Sequence, residues 1–332
     1  MLPALSRIGR RRSLRAGAAL VVVLGLLLWW LLPLGEPAPN GTLRFSTGVR
    51  SGVYERYGER LRGALAKDLP EVSIELQTSE GSQQNIARVA TGKADFTIAT
   101  TDALATYLRD GKPGADRLRG CVRLYDDYIQ LVVKRGSDIN EVADLRGKTV
   151  AVGQPGSGVR LVADRLMRAA GLDPVGDVTA VPAGIDTMPK LLEDGRLDAF
   201  FWSGGLPTTA VADLSDRFSI RLVPLEDPLI KQLQAAGGST RFYRSAVMPA
   251  DAYLNAQQGQ AVPTVAVANV LVTTDRTDPA MTEAFTRTVI DSRDRIGREV
   301  HAAQLVDLRT AIYTDPLPLH EGARRYYRSV KP

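Results

Sequence analysis

Short apolar runs of strand length alternate with helix-length amphipathic stretches along most of the chain, and that alternation limits the folds open to it. Leu43–Thr47, Val72–Thr78 and Asp95–Ala99 read as strands, followed in turn by helices over Val53–Lys67, Gln83–Thr91 and Ala103–Arg109. A second series runs strand Tyr128–Lys134, helix Val142–Leu145, strand Thr149–Gly153 and helix Val159–Ala170. It continues with strand Val178–Val181, helix Thr187–Asp194 and strand Ala199–Trp202. Strands separated by helices of this length form βαβ units and a parallel sheet. Thr264–Thr274 then reads as a long apolar strand and Pro279–Arg295 as an amphipathic helix. The expected class is α/β, with residues enough for two compact lobes.

The first 40 residues differ from the rest. Arg7, Arg10, Arg11, Arg12 and Arg15 precede Ala16–Leu34, a stretch of 19 residues without a charge. As a helix it would span about 28 Å, close to the ~30 Å hydrocarbon core of a bilayer. Positive charge ahead of a first apolar segment holds that side in the cytoplasm. The expectation is one N-terminal transmembrane helix in the cell membrane, with the domain after it extracytoplasmic. The run exceeds the apolar region of most cleavable signals, and Trp29-Trp30 stand where interfacial anchors would, so residues 1–40 read as an uncleaved signal anchor and linker. Cleavage is the alternative, and Arg11-Arg12-Ser13-Leu14 resembles a twin-arginine export signal. The segment also accounts for the charge: of the net +5, residues 1–40 carry +4. The remainder is nearly neutral, unlike a nucleic-acid-binding domain. Cys121, the one cysteine, allows no internal disulfide and reads as a small buried apolar residue.

The turns after the strands are rich in small and polar residues. They are Gly48-Val49-Arg50-Ser51-Gly52, Ser79-Glu80-Gly81-Ser82-Gln83-Gln84-Asn85, Thr100-Thr101-Asp102 and Gly153-Gln154-Pro155-Gly156-Ser157-Gly158. Open parallel sheets bind ligands at this edge, where glycines admit close approach and helix starts attract anions. Split between two sheets, four such turns read as the facing lips of a cleft. Ser82 and Ser157 also suit ordinary N-caps. Asn85 and Ser157 are expected in turns, outside any core.

Nucleotide and catalytic motifs fail. Gly147-Lys148-Thr149 precedes a strand, and Val142 stands where a Walker A motif needs glycine. Gly153, Gly156 and Gly158 have the wrong spacing for a dinucleotide fingerprint. His301 and His320, the only histidines, lie far along the chain from the glycine-rich turns, and no G-x-S-x-G, H-E-x-x-H or Cys/His cluster occurs. Asp126-Asp127 could serve as paired carboxylates, but neighbours on a strand face opposite ways and could not share a site, so the pair reads as a solvated turn. The expectation is a binding protein without catalysis, cofactor or metal.

The residues from about 42 to 330 resemble the extracytoplasmic solute receptors of TRAP-type transporters, in the TAXI branch. Thr47-Gly48 with Gly52-Val53-Tyr54 and Gly58 is similar to that family's opening loop, and Gly81-Ser82-Gln83-Gln84-Asn85-Ile86 to its second turn. Thr101-Asp102, Asp144-Leu145-Arg146-Gly147-Lys148 and Gly153-x-Pro155-Gly156-Ser157-Gly158 follow in order. So do Asp194-Gly195-x-x-Asp198-Ala199-Phe200, Gly205-x-Pro207 and the tail Pro316–Ala323. The resemblance implies a two-lobed periplasmic-binding-protein fold, lobe 1 formed by 41–130 with 264–332 and lobe 2 by 131–263. The chain would cross near Leu131–Lys134 and return near Thr264–Thr274. A small anionic solute, an acidic amino acid or a dicarboxylate, would bind between the lobes and pass to a TRAP-type permease. The alternative is a membrane-anchored sensing module that signals through a partner histidine kinase or another membrane protein. By position, Gly52, Tyr54, Ser82, Asn85, Thr101, Asp102, Ser157 and Gly158 would touch the solute. Arg50 and Arg160 are candidate cations for its carboxylates, and Trp202 a candidate wall. The sequence departs from the family at Glu55, Arg56 and Gln84, where tyrosine, proline and glutamate are usual.

Overall fold

The computed structural model describes residues 17–27 and 39–330. The chain divides into one unit over residues 1–38 and another over 39–332. In the first, residues 17–27 form helix α1, with its leucines and valines exposed. Eleven residues make about 16 Å of helix, and among the described residues no helix is long and apolar enough to cross a membrane. The expected span over Ala16–Leu34 falls only in part on described residues; the five arginines at 7–15, Trp29-Trp30 and most of the linker lie outside them.

The second unit opens with β1 (Gly41–Ser46), α2 (Val53–Asp68), β2 (Val72–Gln77), α3 (Ser82–Ala90), β3 (Phe96–Thr100) and α4 (Thr101–Arg109). β1 lies parallel to both β2 and β3, as the βαβ rhythm predicts. Next comes β4 (Leu118–Lys134), a strand of 17 residues of which the apolar pattern predicts only the last seven. Arg119, Arg123, Asp126 and Asp127 interrupt its apolar pattern and conceal the first part.

The middle of the chain forms β5 (Thr149–Ala151), α5 (Gly158–Ala169), β6 (Thr179–Val181), α6 (Met188–Glu193), β7 (Ala199–Gly204) and α7 (Thr209–Arg217). β5 is parallel to β6 and β7. Then follow β8 (Ile220–Val223), α8 (Asp227–Ala235), β9 (Arg244–Met248), α9 (Leu254–Gln257) and β10 (Val262–Thr274). Helices α10 (Pro279–Asp291), α11 (Arg293–Gly297) and α12 (Glu321–Val330) finish the unit.

One sheet, not two, carries both halves. Its order is β2-β1-β3-β10-β4-β7-β5-β6, with β8 beside β4 and β9 beside β10. β4 and β10 are antiparallel and run through both halves. β10 pairs with β3 at one end and β9 at the other, and β4 turns from β10 to β7 and β8. Tyr128 stands at the change of partners, facing Ala266 and Gly204, and β10 slips register between Ala268 and Val270. The change of strand partners on β4 lies three residues before Leu131.

The cores divide at the same place. One cluster draws on residues between Ile129 and Val267. Two others draw on residues before Leu131 and after Val267, including Phe285 of α10, which stacks on Phe96 at 4.2 Å and on Phe45 at 6.2 Å between ring centroids. Cys121 is buried, and burial pushes its thiol pKa up, as the apolar reading requires.

Candidate functional site

The four turns meet. Gly48 and Gly52 of the first, Gly81 and Ser82 of the second, Thr100 of the third and Gly153, Ser157 and Gly158 of the fourth surround one cavity of about 50 Å³. Tyr54, Asp127, Trp202 and Ser203 complete its polar and aromatic wall. A volume of this size holds a few water-sized groups.

The halves touch at its rim. The Gln84 N–H donates to the Gly156 carbonyl at 3.0 Å, and Gln83 Nε2 donates to the Ser157 carbonyl at 2.7 Å. Gly81 makes this approach possible. Its φ of +124° suits glycine, and a Cβ there would lie 3.4 Å from Ser157 Cα. Ser157 caps α5, its hydroxyl accepting from the Arg160 N–H at 3.0 Å, so the N-cap reading holds while the residue also lines the cavity. Ser82 makes no such cap; its hydroxyl accepts from the Thr100 N–H at 3.2 Å and lies 3.1 Å from the Tyr54 hydroxyl.

A chain of hydrogen bonds runs from these turns to the long strands. The Tyr54 hydroxyl donates to Asn269 Oδ1, Asn269 Nδ2 donates to Asp127 Oδ1 at 2.7 Å, and the Ser203 hydroxyl donates to Asp127 Oδ2 at 3.2 Å. Asp127 is 3% exposed and forms no ion pair among the described residues. Burial pushes its carboxyl up to about 7, against the pull of its two hydrogen bonds and with the charges of Asp126 and Asp102 adding to the rise. Burial also raises the Tyr54 hydroxyl well above its ordinary value. Thr100 Oγ1 is buried without a hydrogen-bond partner at the cavity wall.

The solvated-turn reading of Asp126-Asp127 is overturned, since both sit inside β4 and both are buried. Their side chains do part to opposite faces: Asp126 pairs with Arg123 at 2.6 Å and with Arg244, while Asp127 lines the cavity. Of the expected contacts, Gly52, Tyr54, Ser82, Ser157, Gly158 and Trp202 line it. The Trp202 indole N–H donates to Thr208 Oγ1 at 3.0 Å, and its ring belongs to the core as well as the wall.

The other five do not line it. Arg50 is exposed, and Arg160 pairs with Asp164 along α5 at 2.9 Å. Asn85 is fully buried rather than a turn residue. Its amide donates to the Thr47 and Ile98 carbonyls and accepts from the Ser46 and Ser79 hydroxyls, which makes it a tie between β1, α3 and β3. Thr101 is buried beside the site. Asp102 meets Arg165 of α5 at 3.0 Å and accepts from the Tyr243 hydroxyl, an ion pair that joins the halves. The departures Glu55 and Arg56 serve the chain itself: Glu55 accepts from Thr47 Oγ1, and Arg56 donates to Thr209 Oγ1 at 2.7 Å. Among the described residues no cluster of His, Cys, Asp and Glu could hold a metal.

The profile of the NMT1-like family matches residues 45–330, which takes in every turn of this site. The chain belongs to the NMT1-like family. Similar solved structures place this NMT1-like chain in the α/β, periplasmic-binding-protein-like fold. A putative L-cystine ABC transporter protein from Listeria monocytogenes is 14% identical at a TM-score of 0.50, with 80% of this chain and 98% of that one covered. An ancestral arginine-binding protein bound to arginine is 17% identical at 0.50, covering 78% and 98%. A peroxide-bound OxyR mutant from Corynebacterium glutamicum reaches 0.50 at 13% identity, covering 89% and 76%. At such identities the likeness is one of fold.

Proposed function

We propose that this chain is an extracytoplasmic solute-binding receptor that captures a small anionic solute, an acidic amino acid or a dicarboxylate, and delivers it to a TRAP-type membrane permease. The observation that carries the reading is the meeting of four polar turns, three of them bearing glycine, from two halves around one cavity. α3 and α5 both begin at that cavity, which brings the partial positive charge of their first N–H groups to it, and Thr100 offers an unpartnered hydroxyl. The halves act as lobes that close over the solute by bending at the shared strands, near Asp126–Tyr128 and Val267–Asn269. The proposed contacts are Gly52, Tyr54, Ser82, Ser157, Gly158 and Trp202, joined by Thr100, Asp127 and Ser203. The N-terminal segment keeps the receptor at the membrane as a single-pass anchor. Binding completes the task, and no step of chemistry is assigned to the site.

Thermal unfolding of the full chain against acidic amino acids and dicarboxylates tests this reading. A solute at ~100 times its dissociation constant adds about 2.7 kcal/mol, a rise of several degrees in Tm. An unchanged Tm at tens of millimolar of every compound would remove the receptor assignment for this solute class.

A further inference from the structure

The cavity has an electrostatic imbalance. Two acidic residues, Glu80 and Asp127, line it, and no lysine, arginine or histidine does. Arg50 and Arg160, the candidate cations, are spent elsewhere, in solvent and on Asp164. Asp127 is the deeper acid, held on β4 by Asn269 and Ser203, which orient its oxygens but bring no positive charge. A carboxylate only 3% exposed and without a counter-ion lacks the partner that its charged form requires. The groups around it add none either: Tyr54 of α2 and Tyr125 of β4 are neutral phenols, and Asp102 of α4 and Asp126 of β4 are acids satisfied by Arg165, Arg123 and Arg244.

We infer that Asp127 is the cation-receiving group of this cavity and that the solute it selects carries an ammonium, which makes it an amino acid rather than a dicarboxylate. The inference rests on the receptor reading above and narrows it. The ammonium donates to the Asp127 carboxylate while the solute's carboxylate turns towards the starts of α3 and α5. The charged hydrogen bond gives orientation as well as affinity. The burial of Asp127 makes that bond count for more than it would in water.

The test is isothermal titration of the full chain in detergent with matched compounds differing only by the ammonium: L-glutamate against glutarate, and L-alanine against propionate. At pH 8 the chain should bind the amino acid of a pair at least about tenfold more tightly, the effect of one charged hydrogen bond. Asp127→Asn should reduce that preference to within about threefold. A pH series on the unaltered chain gives a second, independent reading if the variant fails to fold. With the carboxyl titrating near 7, affinity for the amino acid should fall about tenfold from pH 8 to pH 6, while glutarate or propionate is not weakened. Equal losses for both members of a pair in the variant, or a ratio independent of pH, would overturn the role of Asp127 and leave the receptor reading standing. Tighter binding of the dicarboxylate would do the same. Binding of none of the four compounds removes the receptor reading for this solute class, and the inference falls with it.

Discussion

At the scale of single residues, Asp127 sets function against stability. Its carboxyl titrates near 7 in the folded chain and near 4 in the unfolded one. The folded state therefore holds the proton more tightly, and stability falls as pH rises from about 4 to about 7, then levels off. The difference amounts to at most roughly 4 kcal/mol. Asp127→Asn should remove this slope and make the solute-free chain more stable at pH 8 by about 2 kcal/mol. Thermal unfolding of both proteins from pH 4 to 8 checks it, and parallel curves would show that the acid is not strained. Asn85 makes the opposite case. It is buried and fully hydrogen-bonded, so Asn85→Ala should cost about 2–4 kcal/mol through orphaned partners, a loss to be read as a lower Tm and not as lost recognition.

At the scale of elements, α4 and α5 are joined across the halves by Arg165. Its guanidinium donates to Asp102 at 3.0 Å, to the Tyr243 hydroxyl at 2.8 Å, and to Thr106 and Ser239 at 2.7 Å each. Asp102 is 2% exposed, so loss of its cation should cost about 3–5 kcal/mol. Arg165→Met should therefore lower Tm sharply, and Asp102→Asn added to it should recover part of the loss. A double-mutant cycle with additive effects would show the two to be uncoupled.

The βα series and its turns were legible because amphipathic periodicity and glycine-rich turns are local signals. The first part of β4 was not, because its charged residues find partners from distant segments, Arg244 and Asp275 among them. The same cause hid Asp127, whose environment is assembled by β7 and β10. It also misplaced Asn85, Asp102 and Arg160, polar residues near the right turns whose hydrogen bonds go to the protein. Recognition of a turn is local, whereas the direction in which a side chain is spent is not.

At the scale of the whole molecule, β4 and β10 bind both halves into one sheet, and any opening must be taken up along them. Labels on Lys93→Cys and Arg168→Cys, exposed positions on opposite halves, report it; Cys121 is buried and remains unlabelled. Electron–electron distance measurements should give one short distance with saturating solute and a longer population without it. A single distance unaltered by solute would mean that the halves do not part.

The hydrogen-bonded Asp127 and Asn269 lie where β4 and β10 change partners. A balance normally keeps its load far from its pivot; if the halves part along these strands, the two coincide here. A solute's charge would then be met with almost no lever arm and would act on the stiffness of the pivot itself. Solutes alike in charge but unlike in bulk would be weighed equally there. They would be told apart at the rim of the cavity, where Gln83 and Gln84 must still reach Ser157 and Gly156.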